Sequence, residues 1–352
     1  MALPAGVILA LSHPSGERLP FPLDRPAHLV PLANRPLLVH VLRALREAGL
    51  RKVAIVVDEA TAAPTRAVAG DGVAFGVRVA YVEQPVGAGA ATALAGAFER
   101  VGGAPCVVHH GRAFLAGSLR PVVSDFAQRL AECVVLVGGR PADLRAGAPA
   151  RGRLLSVCAR RAGGERIVPL GIDLCRPAVL ERLESGAADG VSLSDALVDL
   201  ATEGRAEAWA VKAQAVRLDS SDAVLEASRL ALDELEADWA QADVADSRIE
   251  GRVVIAPSAV VRSSVVRGPA VIGPGAELLH AYVGPYSVIG DRSRVEGAEI
   301  ENSVLLPDVT ISSPGWRLEA SVIGARARVT RGFDLPAAVR LRVGDGALVY
   351  TT

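Results

Sequence analysis

Lysine is almost missing from this 352-residue chain: Lys52 and Lys212 are the only two, and arginine carries the rest of the positive charge. Chemistry that sets lysine ammonium groups on phosphates has little to draw on here. Neither sign of charge is in excess, because 38 Lys plus Arg stand against 39 Asp plus Glu and leave a formal net charge of -1. The broad basic field of a nucleic-acid binder is absent, so a polynucleotide partner is not expected. Cysteine is scarce as well. Cys106, Cys133, Cys158 and Cys175 lie far apart, with no Cys-x-x-Cys pair and no histidine at zinc-ligand spacing. That pattern argues against a disulfide framework or a structural zinc site and fits four buried thiols in a reducing cytoplasm. Long apolar runs are also lacking. Val7 to Leu11 is too short for a membrane span and has no basic residue before it, so a cytoplasmic protein without a membrane partner is expected.

What is present is ample apolar content, 50% of the residues, in a chain longer than one typical core, which makes two domains the better expectation. The first two hundred or so residues alternate short apolar runs with amphipathic stretches, the pattern of strands joined by helices in a mostly parallel sheet. Strands are expected at Val7 to Ala10, Val53 to Val57, Val77 to Val82, Pro105 to Val108 and Cys133 to Val137. Helices are expected over Pro36 to Ala48, with Gly49 as the stop signal, and over Ala88 to Arg100. In such a doubly wound sheet, ligands bind beyond the carboxyl ends of the strands. A longer helix, Ala223 to Ala240, with Leu225, Leu230, Leu232, Leu235 and Trp239 on its apolar side, is expected to bridge the domains.

After Ser247 the period changes. Val254, Val260, Val266, Ile272 and Leu278 recur every six residues, and Ile-Gly or Val-Gly pairs repeat at Ile272, Val283, Ile289 and Ile323. A repeat of this length indicates a parallel β-helix with one inward aliphatic residue per side. The shorter step from Leu278 to Val283 begins a drift, and an interruption is expected near Pro314-Gly315-Trp316.

The segments Gly6 to Ala10 and Asp24 to Leu38 resemble the start of the sugar-1-phosphate nucleotidyltransferases, most closely the long form of glucose-1-phosphate thymidylyltransferase. The resemblance implies a Rossmann-like, doubly wound and mostly parallel α/β sheet over residues 1–245, then a left-handed parallel β-helix over 246–352. It also implies three chemical requirements: a glycine-rich loop against a triphosphate, cations on the phosphates, and aspartates holding Mg²⁺. The family's loop reads Leu-Ala-Gly-Gly-x-Gly-Thr-Arg-Leu. Here Leu9 to Leu19 is two residues longer and keeps only Gly16, Arg18 and Leu19 beyond Leu9-Ala10. Leu11 and Ser12 stand where glycines allow close phosphate approach, Pro14 lacks a donor and Glu17 adds negative charge.

The family's Arg-Pro-Lys motif becomes Arg25-Pro26-Ala27, without its lysine. The adjacent His28 would be largely neutral and point elsewhere, so it is read as a packing or surface residue. The metal-binding Gly-Asp pair becomes Gly111-Arg112, and a guanidinium does not ligate Mg²⁺. Arg112 either contacts a phosphate directly in place of metal charge, or faces solvent or pairs with a carboxylate. His109 and His110 are adjacent on a strand end and face opposite ways, which argues against a shared metal.

The Glu-Lys-Pro sugar-phosphate motif becomes Ala159-Arg160-Arg161, leaving Arg160 to attract phosphate, and the second metal aspartate of the family corresponds to Asp219 in an uncertain register. Gln84-Pro85-Val86-Gly87 resembles the base and sugar segment, with Gln84 able to read a base edge and Gly87 allowing close approach, although such a run is also an ordinary strand-to-helix turn. Ser194-Asp195-Ala196 resembles a Thr-Asp-Ala motif, which adds Asp195 to the ligand candidates.

The leading expectation is a catalytically degenerate homologue that binds a nucleotide or NDP-sugar and acts as a regulatory or assembly subunit, in a homo-oligomer or beside an active homologue, with no cofactor. The alternative is an active enzyme making an NDP-sugar with Arg18, Arg112 and Arg160 in rewired roles, and only then with Mg²⁺. A third reading, a β-helix acyltransferase, would need a basic histidine, and His280 is the one histidine after His110.

Overall fold

A computed structural model describes residues 4–12, 25–88, 90–128, 130–138, 149–150, 168–179, 200, 203–210 and 214–331. The first unit is built on β1 (Ala5–Ala10), α1 (Leu37–Glu47), β2 (Lys52–Val57), α2 (Glu59–Ala69), β3 (Arg78–Glu83), α3 (Ala90–Val101), β4 (Cys106–His109) and β5 (Ala113–Ala116). It continues through α4 (Arg120–Phe126), β6 (Cys133–Gly138), β7 (Pro149–Ala150), β8 (Val168–Cys175), β9 (Ala206–Ala210), β10 (Gln214–Arg217) and α5 (Ser221–Asp233).

The eight-stranded sheet runs β3-β2-β1-β4-β8-β6-β9-β7. Pairing among β3, β2, β1 and β4 is parallel, while β8 runs antiparallel to both β4 and β6. Strand alternation divides β1 between two layers: Ile8 and Ala10 pack with α1, whereas Ala5 and Val7 pack with Ala93, Leu94 and Phe98 of α3. Because β1 pairs with β2 on one side and β4 on the other, the strand order reverses at β1, and the carboxyl ends there form a crevice.

Helix α1 follows its apolar spacing, burying Leu37, Leu38, Val41, Leu42 and Leu45. It stops where Gly49 takes φ +95 and the Leu50 N–H donates to the Leu45 carbonyl, a Schellman closure. Helix α2 was not legible from apolar periodicity, since its buried face is Thr61, Thr65 and Ala69. Helix α5 begins where the Ser220 hydroxyl accepts the Ala223 N–H, and it ends at Asp233, well short of the expected Ala240. The reason lies in the next unit. Asp238 already bonds both ways with Val253 and Ile255, and Trp239 is 41% exposed instead of lining an apolar helix face.

From Asp243 onward the chain winds into three parallel sheets that form the left-handed β-helix. Inward residues stack in columns: Ile255, Ile272, Ile289 and Leu305 on one side, Val261, Leu278, Val295 and Ile311 on the second, and Val266, Val283, Ile300 and Leu318 on the third. The unit of repetition is thus a coil of 17 residues with a short third corner, as the partners in successive coils show. Val266, Ile272 and Leu278 point inward as expected. Val254 and Val260 do not, because their neighbours Ile255 and Val261 take the core positions. The coil also continues through Pro314 to Trp316, where the corner absorbs an extra residue and Arg317 to Glu319 still pairs with Glu299 to Glu301.

Outward residues differ by side. Val254, Val271, Val288, Val304 and Val322 form one column that packs on the core of the α/β unit, with the Asn34 side-chain amide donating to the Ile289 carbonyl at 2.7 Å. On the other two sides, ion pairs link successive coils: Arg262 with Asp243, Arg294 with Glu277, Arg267 with Glu250 and Arg317 with Glu299. These sides are therefore charged. Among the described residues no helix is long and apolar enough to cross a membrane. Cys106, Cys133 and Cys175 are buried thiols that form no disulfide, and Cys158 lies outside the described residues.

Candidate functional site

The crevice is assembled from the residues that follow β1, β2, β3 and β4. After β1, the Ser12 N–H and hydroxyl both donate to Asp58 Oδ2, at 2.6 and 2.5 Å. Asp58 is 2% exposed, follows β2 and caps α2 in a capping box with Thr61. Burial works to raise its carboxyl pKa, yet the hydrogen bonds from Ser12 and Thr61 outweigh it and hold the group below its ordinary range. A backbone donor at the root of the loop that would face phosphate is consequently engaged by an internal carboxylate. Asp58→Ala should lower stability by about 2 kcal/mol through loss of the cap and of the Ser12 tie. An unchanged thermal melt would show that this tie contributes nothing.

Ala27 and His28 sit on a single 3-10 turn and are both buried. The His28 ring packs inward, with Nε2 2.9 Å from the Thr65 hydroxyl, and burial lowers its pKa to about 4 against a weaker upward pull from Asp58. It is a neutral packing histidine, not a cation replacing the lysine absent at Ala27.

Gln84 follows β3. Its N–H donates to the Val57 carbonyl, and its side chain is turned into the protein, with the residue 8% exposed and Oε1 without a hydrogen-bond partner among the described residues. Buried amide oxygens are ordinarily bonded, so this bare one beyond the carboxyl end of β3 is unusual. Gly87 lies three residues on, with open space where a Cβ would stand.

At the end of β4 the two histidines part as their adjacency requires. His109 is buried with its pKa lowered to about 3, first by burial and then by the neighbouring His110. The neutral ring donates from Nε2 to the Ala113 carbonyl at 3.0 Å and accepts the Gly111 N–H on Nδ1 at 3.0 Å, which fixes the turn between β4 and β5. Gly111 has φ +72, and a Cβ there would lie 2.5 Å from the Leu9 carbonyl oxygen, so only glycine lets this turn close against the end of β1. His110 instead reaches β8, where its Nε2 lies 2.9 Å from Asp173 Oδ2 at ion-pair distance without hydrogen-bond alignment.

Arg112 is half-buried beside this turn, and its carbonyl accepts the Leu218 N–H at 2.8 Å. Because β10 pairs with β5 so that Arg217 faces Ala113, Asp219 comes level with Gly111 and is exposed. The register left open by the sequence therefore sets Asp219 beside the Arg112 turn. One exposed carboxylate next to a guanidinium is a poor donor set for Mg²⁺, and no cluster of three or more His, Cys, Asp or Glu suited to a metal occurs among the described residues.

Gly16, Arg18, Arg160 and Asp195 lie outside the described residues. His280 is an exposed turn residue with φ +49 on the coil. Sequence reasoning missed Asp58 and Asp173. Each carried a readable signal, an Asp-x-x-Thr cap after an apolar strand for the first, and for the second a lone carboxylate within Leu170-Gly171-Ile172-Asp173-Leu174.

The Nucleotidyl transferase family model matches residues 6–146, the stretch that supplies β1 to β6 and the crevice. A glucose-1-phosphate thymidylyltransferase of Streptomyces griseus is 30% identical over 346 residues, covering 96% of this chain and 97% of the relative. Among solved structures, a putative glucose-1-phosphate thymidylyltransferase from Bacillus anthracis in complex with a sucrose aligns with TM-score 0.55 at 19% identity, over 66% of this chain and 97% of the other. A UTP-bound UGPase from Acinetobacter baumannii aligns with TM-score 0.51 at 17% identity, over 64% of this chain and 92% of the other. The sheet order, the crevice at its reversal point and a relative matched nearly end to end agree, and the chain belongs to the sugar-1-phosphate nucleotidyltransferase family.

Proposed function

We propose that this chain is a catalytically degenerate nucleotidyltransferase that binds a nucleotide or sugar nucleotide in the crevice and works as a regulatory or assembly subunit. The supporting observation is an asymmetry across the crevice. On one side Gln84 keeps a buried, unpartnered oxygen fit to read a base. On the other, Ala27 and Arg112 stand where the resemblance places a phosphate-binding lysine and a metal-binding aspartate. If each lost electrostatic group costs on the order of 3 kcal/mol, or ~10²-fold in rate, the two together remove most of the expected acceleration. The carboxylate of Asp58 on Ser12 further reduces the donors available to a triphosphate. A divalent cation has no part in this reading.

The test is release of pyrophosphate from dTTP with glucose 1-phosphate and Mg²⁺, which should run no faster than without protein. Turnover of about one per second, an ordinary enzyme rate, would overturn the proposal and restore an active enzyme with a rewired site. The double change Ala27→Lys plus Arg112→Asp should yield only a trace, because the loop after Ala10 remains altered. As to assembly, the ion-paired sides of the coil favour contacts elsewhere than on its flanks, and light scattering with and without an active homologue measures them directly.

A further inference from the structure

Three thiols lie abreast at the edge of the sheet opposite the crevice. Cys133 opens β6 and Cys175 closes β8, and the strand register sets Cys175 directly across from Cys133 on one side and from Cys106 of β4 on the other. All three face the core layer that packs under α3.

The two neighbours of Cys175 are not equivalent. The Arg176 N–H donates to the Glu132 carbonyl at 2.8 Å while the Glu132 N–H turns away to the Arg205 carbonyl, which makes Cys175 and Cys133 a non-hydrogen-bonded pair of an antiparallel ladder. Opposed Cα atoms in such pairs lie about 4.5 Å apart, inside the span that a disulfide bridges. The two Sγ atoms are already 3.5 Å apart. Reaching bonding distance requires each sulfur to move by only about 0.7 Å, a small turn about χ1. Cys106 sits on the other, hydrogen-bonded side of β8, where opposed Cα atoms are wider at about 5.5 Å. Its thiol donates to the Ala104 carbonyl at 3.1 Å, and burial pushes its pKa well above the ordinary range, so it stays protonated.

From this geometry we infer that Cys133 and Cys175 form an oxidative modification site, closing to a disulfide between β6 and β8 when the protein meets a hydroperoxide, with Cys106 as a bystander. One thiol sulfur attacks the peroxide, becoming a sulfenic acid and releasing water or an alcohol; the second thiol then attacks that sulfur, and the S–S bond forms as water leaves. Two sulfurs together lose two electrons and the peroxide gains them. Neither sulfur reaches solvent, so the reaction waits on opening of the sheet edge. That edge is near, since Glu132 and Arg176 are the next residues out and Glu132 is held by a partly exposed ion pair with Arg205. Oxidation is therefore slow, on the order of hours. No group of the crevice takes part, and the outcome is independent of nucleotide binding.

The experiment treats the folded full-length protein with hydrogen peroxide, unfolds it, blocks the remaining thiols with an alkylating reagent and maps the peptides by mass spectrometry. The Cys133 and Cys175 peptides should be recovered joined to each other and lighter by the two hydrogens lost, while Cys106 carries the alkyl label. The same treatment of protein unfolded in urea should not favour this pairing. Because the bond restricts the unfolded chain between residues 133 and 175, the oxidised protein should melt about 5 °C or more above the reduced one, and a thiol reductant should reverse the shift. Cys133→Ala should abolish both the linkage and the shift, and Cys106→Ala should keep both. Cys133 and Cys175 each still alkylated after peroxide, a Cys106–Cys175 linkage in their place, or sulfinic acid without linkage would overturn the inference, and each of these is read on the unsubstituted protein.

Discussion

Ile272→Asp is expected to cost about 4 kcal/mol or more, enough to unfold or aggregate the coil. Ile272 is 1% exposed and stacks between Ile255 and Ile289 with aliphatic neighbours on both other sides of the coil, so the introduced carboxylate meets no donor and no water. The damage should not stay local. The outward side chains of the same sheet, Val271 and Val288, belong to the core of the α/β unit, and loss of the coil would strip that core of its cover. A sharper version of the test separates the true register from a strict six-residue repeat. Val260 belongs to the repeat seen in the sequence but faces outward between Asp243 and Glu277, whereas Val261 is fully buried. Val260→Lys should melt close to the parent and Val261→Lys far below it; equal melting temperatures would show that the inward face is misassigned.

The same pair of valines shows what the sequence could and could not convey. Apolar period located the coil, because each three-residue strand carries an aliphatic residue into a shared column. It mislocated two inward positions, because at the start of the coil several aliphatic residues stand side by side, in Val253-Val254-Ile255 and Val260-Val261, and composition does not say which of them turns inward. The outer valines are apolar for a separate reason, since Val254 heads the column that covers the α/β core. In the first unit, β1, α1, β2, β3, α3, β4 and β6 were legible from apolar runs and one stop glycine. Helix α2 was not, since it is held by the Asp58 cap and small residues rather than by an apolar stripe. The end of α5 carried no glycine or proline, so only the start of coil pairing at Asp238 reveals it. Within the crevice, Gln84, Gly111 and Arg112 could be placed by motif and strand order. The His110–Asp173 pair could not, because residues remote in sequence meet only when β8 inserts beside β4.

Lowering the pH from about 6.5 to about 4 is expected to destabilise the protein strongly, through three histidines kept neutral inside the α/β unit. Burial lowers the pKa of His28 and His40 to about 4 and that of His109 to about 3, from an ordinary value of 6.5. All three rings have packing or hydrogen-bonding roles as neutral groups: His28 on Thr65, His40 on the Leu32 carbonyl and edge-on to Phe114, His109 across the turn at Gly111. Within this pH window the unfolded chain takes up protons that the folded chain does not, so stability falls as the pH falls. Each ring contributes on the order of 3 kcal/mol at full effect, and the sum approaches the whole stability of a typical domain. Asp58 acts in the same direction but later, since its lowered pKa delays its loss to the acid side of the ordinary carboxylate range. Glu234 and Asp291, raised chiefly by burial, act in the opposite sense within that carboxylate range and leave the upper part of the window to the histidines. Urea midpoints measured at intervals from pH 7 to pH 4 should therefore decline well before the carboxylates titrate. His40→Phe, which keeps the ring packing against Phe114 but removes a titrating nitrogen, should make that decline shallower. A midpoint that stays level down to pH 4 would mean that these rings are charged in the folded protein, and the account of the Gly111 turn, which requires His109 Nδ1 as an acceptor, would fall with it.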